Sequence, residues 1–95
     1  MKHDWAEVIA LTALAHIGGD ERALIGFLAQ SGAGPDDLRA RIGDPEFLAG
    51  VIDYLLANEP LLLAFCEAEG LSPDVPARAR RALPGGEAMD GTLPF

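Results

Sequence analysis

The sequence predicts an all-α domain, a compact bundle of five or six short helices. Apolar residues recur at the three- and four-residue spacing of helices, and glycine, proline or an acidic residue interrupts each apolar run. Sustained alternation of apolar and polar residues, which would indicate a half-buried strand, does not occur in the sequence. Several positions also recur further along the chain at one shared offset, so that Phe27 recurs as Phe65, 38 residues later.

This internal repeat of about 38 residues predicts that one helix–turn–helix unit is used twice. The two units cover about residues 9–43 and 47–81, and neither can bury its apolar stripe alone. We therefore expect a single helical domain over residues 1–83 and a flexible C-terminal tail over residues 84–95. The first unit carries Asp20, Glu21, Leu24, Phe27, Gly32, Pro35 and Asp36, which match Asn58, Glu59, Leu62, Phe65, Gly70, Pro73 and Asp74.

The first three helices are indicated by their boundaries. The first covers about residues 4–17 and ends at a glycine pair. Its apolar residues wrap most of its circumference, which predicts a buried central helix. Asp20 caps a second helix that runs to about Gln30. After a glycine-rich break, Pro35 begins a third helix with acidic residues at its start and arginines at its end, as the helix dipole favours.

The last three helices begin near prolines. Asp44-Pro45 starts a fourth helix with one apolar half, the clearest amphipathic segment in the chain. A fifth helix starts within residues 58–60 and ends at Gly70, and residues 72–74 open a sixth. In the sixth helix Pro76 occupies the place of an inward leucine and lacks a backbone donor, so we expect a start about one turn later.

Helical spacing also selects the core. The side chains expected to be largely buried are Trp5, Ile9, Leu24, Phe27, Phe47, Val51, Ile52, Leu55, Leu62 and Phe65.

The composition is that of a small globular protein with an acidic surface. The chain has 95 residues, of which 49% are hydrophobic and 23% charged, and a net charge of −8 at pH 7. Because a negative surface repels phosphate groups, duplex nucleic acid and anionic membranes are poor default partners. Basic proteins, cationic peptides and a neutral apolar groove remain open as partners.

A cytoplasmic location is predicted. Cys66 is the only cysteine, so an intramolecular disulfide is excluded, and we expect this residue to be buried as a small hydrophobe. The apolar residues 8–17 invite comparison with a signal peptide, but Asp4 and Glu7 lie where such a segment needs positive charge. None of the apolar runs approaches the ~20 residues needed to cross a bilayer.

Through residues 44–59 above all, which open with Asp44-Pro45, the sequence resembles a family of small alphaproteobacterial proteins of unknown function. The resemblance is strongest in that segment and continues through residues 24–32, 35–39, 61–65 and 70–73. It spans roughly residues 5 to 83 and leaves out the tail. Because the matching residues are helix caps and core positions, the resemblance implies an all-helical fold and no known active site.

Catalytic and metal-binding patterns are not apparent. The acidic pairs at residues 20–21, 36–37 and 67/69 lie at helix starts or on a solvated helix end, where capping explains the first two. His3 and His16 lack further ligands at zinc-binding spacing. His16 suits the carbonyl end of the first helix, with a proton switch as the alternative. We expect no metal and no cofactor.

Arg78, Arg80 and Arg81 form a local basic cluster on an acidic chain. Solvated arginines near a helix end are the simplest interpretation, and binding to an acidic partner, including another copy of the chain, is an alternative. A DNA-reading helix is less well supported, since polar base-reading residues are lacking. The chain end carries three scattered apolar residues, Met89, Leu93 and Phe95. Disorder without function is the simpler interpretation of this segment, and docking as a short linear peptide through Leu93 and Phe95 is the alternative.

We therefore predict a non-enzymatic protein-interaction module with an unidentified protein partner, no nucleic acid or membrane partner, and self-association left open. The candidate partner-binding residues are Arg78, Arg80, Arg81, Leu93 and Phe95. The alternatives are a helix–turn–helix DNA-binding or transcription-associated domain that uses the three arginines, and a small carboxylate enzyme. An exposed apolar patch would favour the interaction module. A continuous basic face would favour the DNA-binding domain, and a deep acidic pocket would favour the enzyme.

Overall fold

Six α-helices form the domain in the computed structural model, which describes residues 3–32 and 34–84. The radius of gyration is 13.0 Å, close to the ~13 Å expected for a compact domain of about 100 residues. The described residues contain no strand, so the all-α prediction is confirmed. The helices are α1 (His3–Gly18), α2 (Glu21–Ser31), α3 (Pro35–Arg41), α4 (Pro45–Ala57), α5 (Glu59–Glu69) and α6 (Val75–Arg81).

Carboxylates cap the starts of three helices. The Asp20 carboxylate accepts hydrogen bonds from the N–H groups of the second and third residues of α2, at 3.1 and 3.2 Å. Asp44 accepts one from the N–H of Glu46 at 3.0 Å, and Asp37 accepts one from the N–H of Gly34 at 3.1 Å. These bonds satisfy backbone donors that a helix start leaves unpaired. The predicted capping role is confirmed at residues 20 and 37.

Two helices of equal length end at left-handed glycines. α2 and α5 each have 11 residues and stop at Gly32 and Gly70, whose φ angles are 74° and 68°. L-residues with a Cβ rarely adopt this conformation, which explains glycine at both positions. α6 begins at Val75, two residues after Pro73, so its start is later than the repeat places it but by less than the full turn expected, and Pro76 lies in its first turn. Pro76 does not leave the inward position empty, as the sequence suggested, because its own side chain is fully buried.

α4 lies at the centre of the domain and packs against α1, α2, α5 and α6. Seven of its 13 residues are buried. The prediction that the first helix is buried around most of its circumference is wrong, although α1 packs on its neighbours as extensively as α4 does. α1 packs on α2, α4 and α6 through a narrow stripe in which small side chains dominate, and its other side faces outward. The buried stripe consists of Ala6, Ile9, Ala10, Ala13 and Ile17.

The predicted core is confirmed for most of its members. Leu24 and Leu62 are half-buried against the core, whereas Trp5 is 36% exposed, so the prediction that it is buried is wrong. The tryptophan lies on the outward side of α1, where no helix of the bundle covers it fully. The buried members are Ile9, Phe27, Phe47, Val51, Ile52, Leu55 and Phe65.

An aromatic cluster joins α2 to α4. The ring of Phe27 packs edge-to-face against Phe47 and Tyr54, with centroids 5.7 and 5.4 Å apart. The buried Tyr54 hydroxyl donates a hydrogen bond to the carbonyl oxygen of Ala23 at 3.1 Å. It reaches this oxygen by passing over Gly26, where an added Cβ would lie 2.5 Å from the hydroxyl oxygen. Glycine at position 26 therefore allows the close contact between the two helices.

Among the described residues, no single helix is both long and apolar enough to cross a membrane. α4 and α5 reach that length and composition only when taken together, and they are bent by 107° at their junction. Most of the apolar side chains of α4 lie in the core described above.

Candidate interaction surfaces

Arg80 is engaged within the domain. It is 9% exposed, its Nε donates to Asp53 Oδ1 at 2.6 Å, and its Nη1 donates to the carbonyl oxygen of Pro84 at 2.8 Å. The ion pair connects α6 to α4, and the second bond holds the chain that follows α6. The interpretation of Arg80 as a solvated arginine is wrong, because its side chain is buried. Its two hydrogen-bond partners offset the hydration that the guanidinium loses on burial.

The other predicted site residues do not join Arg80 in one basic face. Arg78 is exposed, and its Nη1 lies 3.5 Å from Asp74 Oδ2 in an exposed pair along one helix turn. A hydrogen bond from the Ser72 hydroxyl and the charge of Arg78 lower the pKa of Asp74. Arg81 is exposed. Leu93 and Phe95 lie outside the described residues.

The outward side of α1 carries a row of apolar side chains, here called the α1 outer face and defined by Trp5, Val8, Leu11 and Ala15. The exposed fractions are 36% for Trp5, 58% for Val8 and 40% for Leu11, and Ala15 is also exposed. At 100° per residue these positions fall within about 120° of the helix circumference and extend over about 15 Å of its length. They form one continuous ridge opposite the buried alanine-rich stripe.

A polar side chain on this ridge, Thr12, already has a hydrogen-bond partner within α1. The Thr12 side chain lies on the same side of α1, and its hydroxyl donates a hydrogen bond to the carbonyl oxygen of Val8 at 2.7 Å. This bond satisfies the hydroxyl donor within the helix. Asp4, which is exposed, adds a carboxylate at the N-terminal end of the face. The surface is thus apolar along its length and acidic at one end.

Exposed large apolar residues elsewhere in the described chain occur one to a helix. Ile25, Ile42 and Leu63 are 61%, 42% and 47% exposed, and they belong to α2, the end of α3 and α5. Single exposed apolar residues are ordinary on protein surfaces, whereas neighbouring exposed apolar residues along one helix make a candidate binding surface. The α1 outer face is the feature that sequence reasoning missed. The sequence did contain a signal for this face, because the apolar residues of α1 cover more of the helix circumference than one core can enclose.

A groove, distinct from the α1 outer face, is lined by residues of α1, α2, α4 and α5 and of the turns that follow α1 and α4. This open groove has a volume of about 540 Å³ and is lined by side chains that include His16, Asp20, Arg22, Asn58, Pro60 and Leu61.

Several polar side chains of the groove serve the fold. Asp20 caps α2, and the Asn58 amide donates to the carbonyl oxygen of Tyr54 at 2.7 Å. The His16 ring packs edge-to-face on Phe65, with centroids 5.6 Å apart. Asp20 is the one carboxylate of the described lining, so this groove lacks the paired carboxylates of an acid–base site.

Neither metal binding nor thiol chemistry is indicated by the described residues. They contain no group of three or more His, Cys, Asp or Glu side chains that could hold a metal ion. Cys66 is buried, as predicted, and burial raises the pKa of its thiol, with a further contribution from the negative charge of Asp74. A thiol with a raised pKa is a poor nucleophile, since the thiolate is the reactive form.

The fold and its exposed features define a small acidic helical domain whose most distinctive surface is apolar. The chain belongs to the family described as Protein of unknown function (DUF3572), whose sequence profile matches residues 3–86. This match confirms the inferred membership of a family of unknown function. No curated protein and no solved structure matches the chain.

Proposed function

We propose that this domain is a non-enzymatic protein-interaction module that binds a protein partner through the α1 outer face. The observation that carries the proposal is the row formed by Trp5, Val8 and Leu11, exposed together on one helix of an acidic domain. Burial of apolar surface is the main favourable term in protein association, and tryptophan is enriched among the residues that dominate binding energy. A partner that covers this row removes the apolar surface from water.

The DNA-binding alternative has less support. It rests on the exposed Arg78 and Arg81, since Arg80 is engaged with Asp53, and the net charge of −8 opposes approach to phosphates. The alternative predicts salt-sensitive binding of random duplex DNA. The interaction-module proposal predicts that such binding is undetectable at micromolar protein and physiological salt.

The internal two-fold repeat is part of the same proposal, with units over residues 9–43 and 47–81. Its support is the equal length of α2 and α5 and the left-handed glycine that ends each of them. The third helices of the two units, α3 and α6, differ in how extensively they pack on the rest of the domain. α6 packs extensively on α1 and α4, whereas α3 makes no comparably extensive helix contact among the described residues. We also propose a bacterial cytoplasmic setting, which the single buried Cys66 suits.

Two matched variants test the proposed surface. Val8 and Ile25 are β-branched, 58% and 61% exposed, and placed on different helices. Val8→Lys and Ile25→Lys therefore add the same charge at equal exposure, and each should leave the unfolding midpoint within a few degrees of the parent. In affinity capture from the native cell extract, Val8→Lys should lose a partner that Ile25→Lys and the parent both retain. Equal capture by both variants would contradict the assignment of the α1 outer face.

A further inference from the structure

Resting on this proposed function, we infer that the segment bound by the α1 outer face is a cationic amphipathic helix. Its apolar stripe packs along Trp5, Val8 and Leu11, and its lysine or arginine residues flank that stripe. The shape of the face and the charge of the domain lead separately to this partner.

The shape argument comes from the length and straightness of the ridge. The α1 outer face runs along about 15 Å of a single helix, which corresponds to about three turns of a partner helix. Side chains at positions 5, 8, 11 and 15 form rows into which the side chains of a second helix pack. A partner that recognises such a row presents apolar residues at the same three- and four-residue spacing.

The charge argument comes from the balance of acidic and basic side chains. The chain carries 15 acidic residues against seven lysines and arginines. Arg78 is engaged with the carboxylate of Asp74, and Arg80 with that of Asp53. Asp4 adds negative charge on the face itself. The domain as a whole is therefore negatively charged and presents a carboxylate on the face, which favours a cationic segment over an acidic one.

The same balance disfavours a second copy of this chain as the occupant. Each copy has a net charge of −8, so two α1 outer faces approach each other against charge repulsion. Self-association through this face remains an outcome that the experiment below detects.

The test uses synthetic helical peptides and the fluorescence of Trp5, the one tryptophan of the chain. The probe is a tryptophan-free peptide of about 18 residues, long enough to form an amphipathic helix, with leucine on one face and lysine on the other. Two control peptides keep the same length. One replaces every lysine with glutamate, and the other replaces every leucine with alanine. Peptide binding is read from the blue shift of the Trp5 emission, with parent, Val8→Lys and Ile25→Lys proteins compared.

The inference predicts that the leucine/lysine peptide binds the parent protein and shifts the Trp5 emission. Val8→Lys should weaken this binding by about tenfold or more, through lost apolar contact and added repulsion, while Ile25→Lys changes it by less than about threefold. Binding should weaken between about 0.05 M and 0.5 M NaCl, because salt screens the charge attraction. The alanine/lysine peptide, which lacks the apolar stripe, should bind at least about tenfold more weakly.

Different failures have different meanings. If the leucine/glutamate peptide binds as well as the leucine/lysine peptide, and Val8→Lys weakens both, the cationic partner is excluded while the interaction surface stands. If light scattering shows a dimer of the parent that Val8→Lys dissociates, the occupant is a second copy and the inference is overturned. If the leucine/lysine peptide binds Val8→Lys and Ile25→Lys alike, the site lies elsewhere and the inference is again overturned. Equal capture of native partners by the two variants, measured separately, decides against the proposed function itself.

Discussion

The guanidinium of Arg80 lies 2.6 Å from the carboxylate of Asp53, so that an ion pair joins the last helix of the domain to its central helix. Arg80 is almost fully enclosed, whereas the side chain of Asp53 is about half exposed. The pair also fixes the end of the described chain, because the same guanidinium donates to the carbonyl oxygen of Pro84. This arginine therefore connects α6, α4 and the chain that follows α6.

Removing Arg80 should destabilise the domain measurably. In Arg80→Ala, the carboxylate of Asp53 and the carbonyl of Pro84 both lose a charged donor, and we expect a loss of about 1–3 kcal/mol in the free energy of unfolding. Arg78→Ala is the matched control, because Arg78 belongs to an exposed pair and should cost less than about 1 kcal/mol. Urea denaturation measures both. A loss of unfolding free energy in Arg80→Ala as small as the loss in Arg78→Ala would mean that the buried ion pair does not stabilise the domain.

Gly26 should resist substitution although it lies within a helix. In Gly26→Ala, the new Cβ meets the Tyr54 hydroxyl at 2.5 Å, so Tyr54 must shift and its bond to Ala23 is strained. We expect a destabilisation of about 1–3 kcal/mol. Gly50→Ala, on the exposed side of α4 with no neighbour within 4 Å of its Cβ, should instead stabilise by about 0.5–1 kcal/mol. Thermal unfolding distinguishes the two variants.

The double variant Gly26→Ala/Tyr54→Phe separates this clash from a simple change in helix propensity. Removal of the hydroxyl relieves the contact, so the double variant should lose less than the sum of the two single losses. Additive losses would show that the contact between residue 26 and the hydroxyl is not the cause.

Phe27 and Phe65 should be the costliest core positions to truncate. They are 2% and 0% exposed, and each ring packs against another aromatic side chain. Phe27→Ala and Phe65→Ala should each cost about 3–5 kcal/mol, since truncation leaves a cavity in a closely packed core. Leu63→Ala, at a position 47% exposed, serves as the control. Losses below about 1 kcal/mol at both phenylalanines, measured by urea denaturation, would contradict the assigned core.

Cys66 should be unreactive in the folded protein. Its thiol is buried, and burial together with the charge of Asp74 raises its pKa, so less thiolate is present at pH 8 than for a free cysteine. Alkylation by iodoacetamide at pH 8 should therefore be slow in buffer and fast in denaturing urea, as followed by mass spectrometry. Modification at the rate of free cysteine without urea would place the thiol at the surface.

Local features were predictable from sequence because their causes are local. Asp20 and Asp44 cap the helices that begin directly after them, and Gly32 and Gly70 end helices through their own backbone conformations. The aromatic core position Phe27 followed from helical spacing. In each case the residues that determine the feature lie within one or two helical turns of one another.

Features that depend on how helices pack were not predictable in this way. Asp53 and Arg80 are 27 positions apart, and only the crossing of α4 and α6 brings them together. The sequence likewise could not decide whether α1 or α4 is central, because both are rich in apolar residues. The bundle encloses α4 on most sides and covers only one side of α1, which leaves Trp5 and Val8 outside.

The most direct measurement of the central claim is site-specific photo-crosslinking from the α1 outer face. Leu11 and Ile42 have nearly equal exposure, 40% and 42%, but only Leu11 belongs to that face. With a photoreactive amino acid at position 11 or position 42, irradiation of the protein in its native cells should give a discrete crosslinked partner from position 11 and none from position 42. Absence of a product from position 11, or the same product from both positions, would contradict the claim that this domain binds a protein through the outer face of α1.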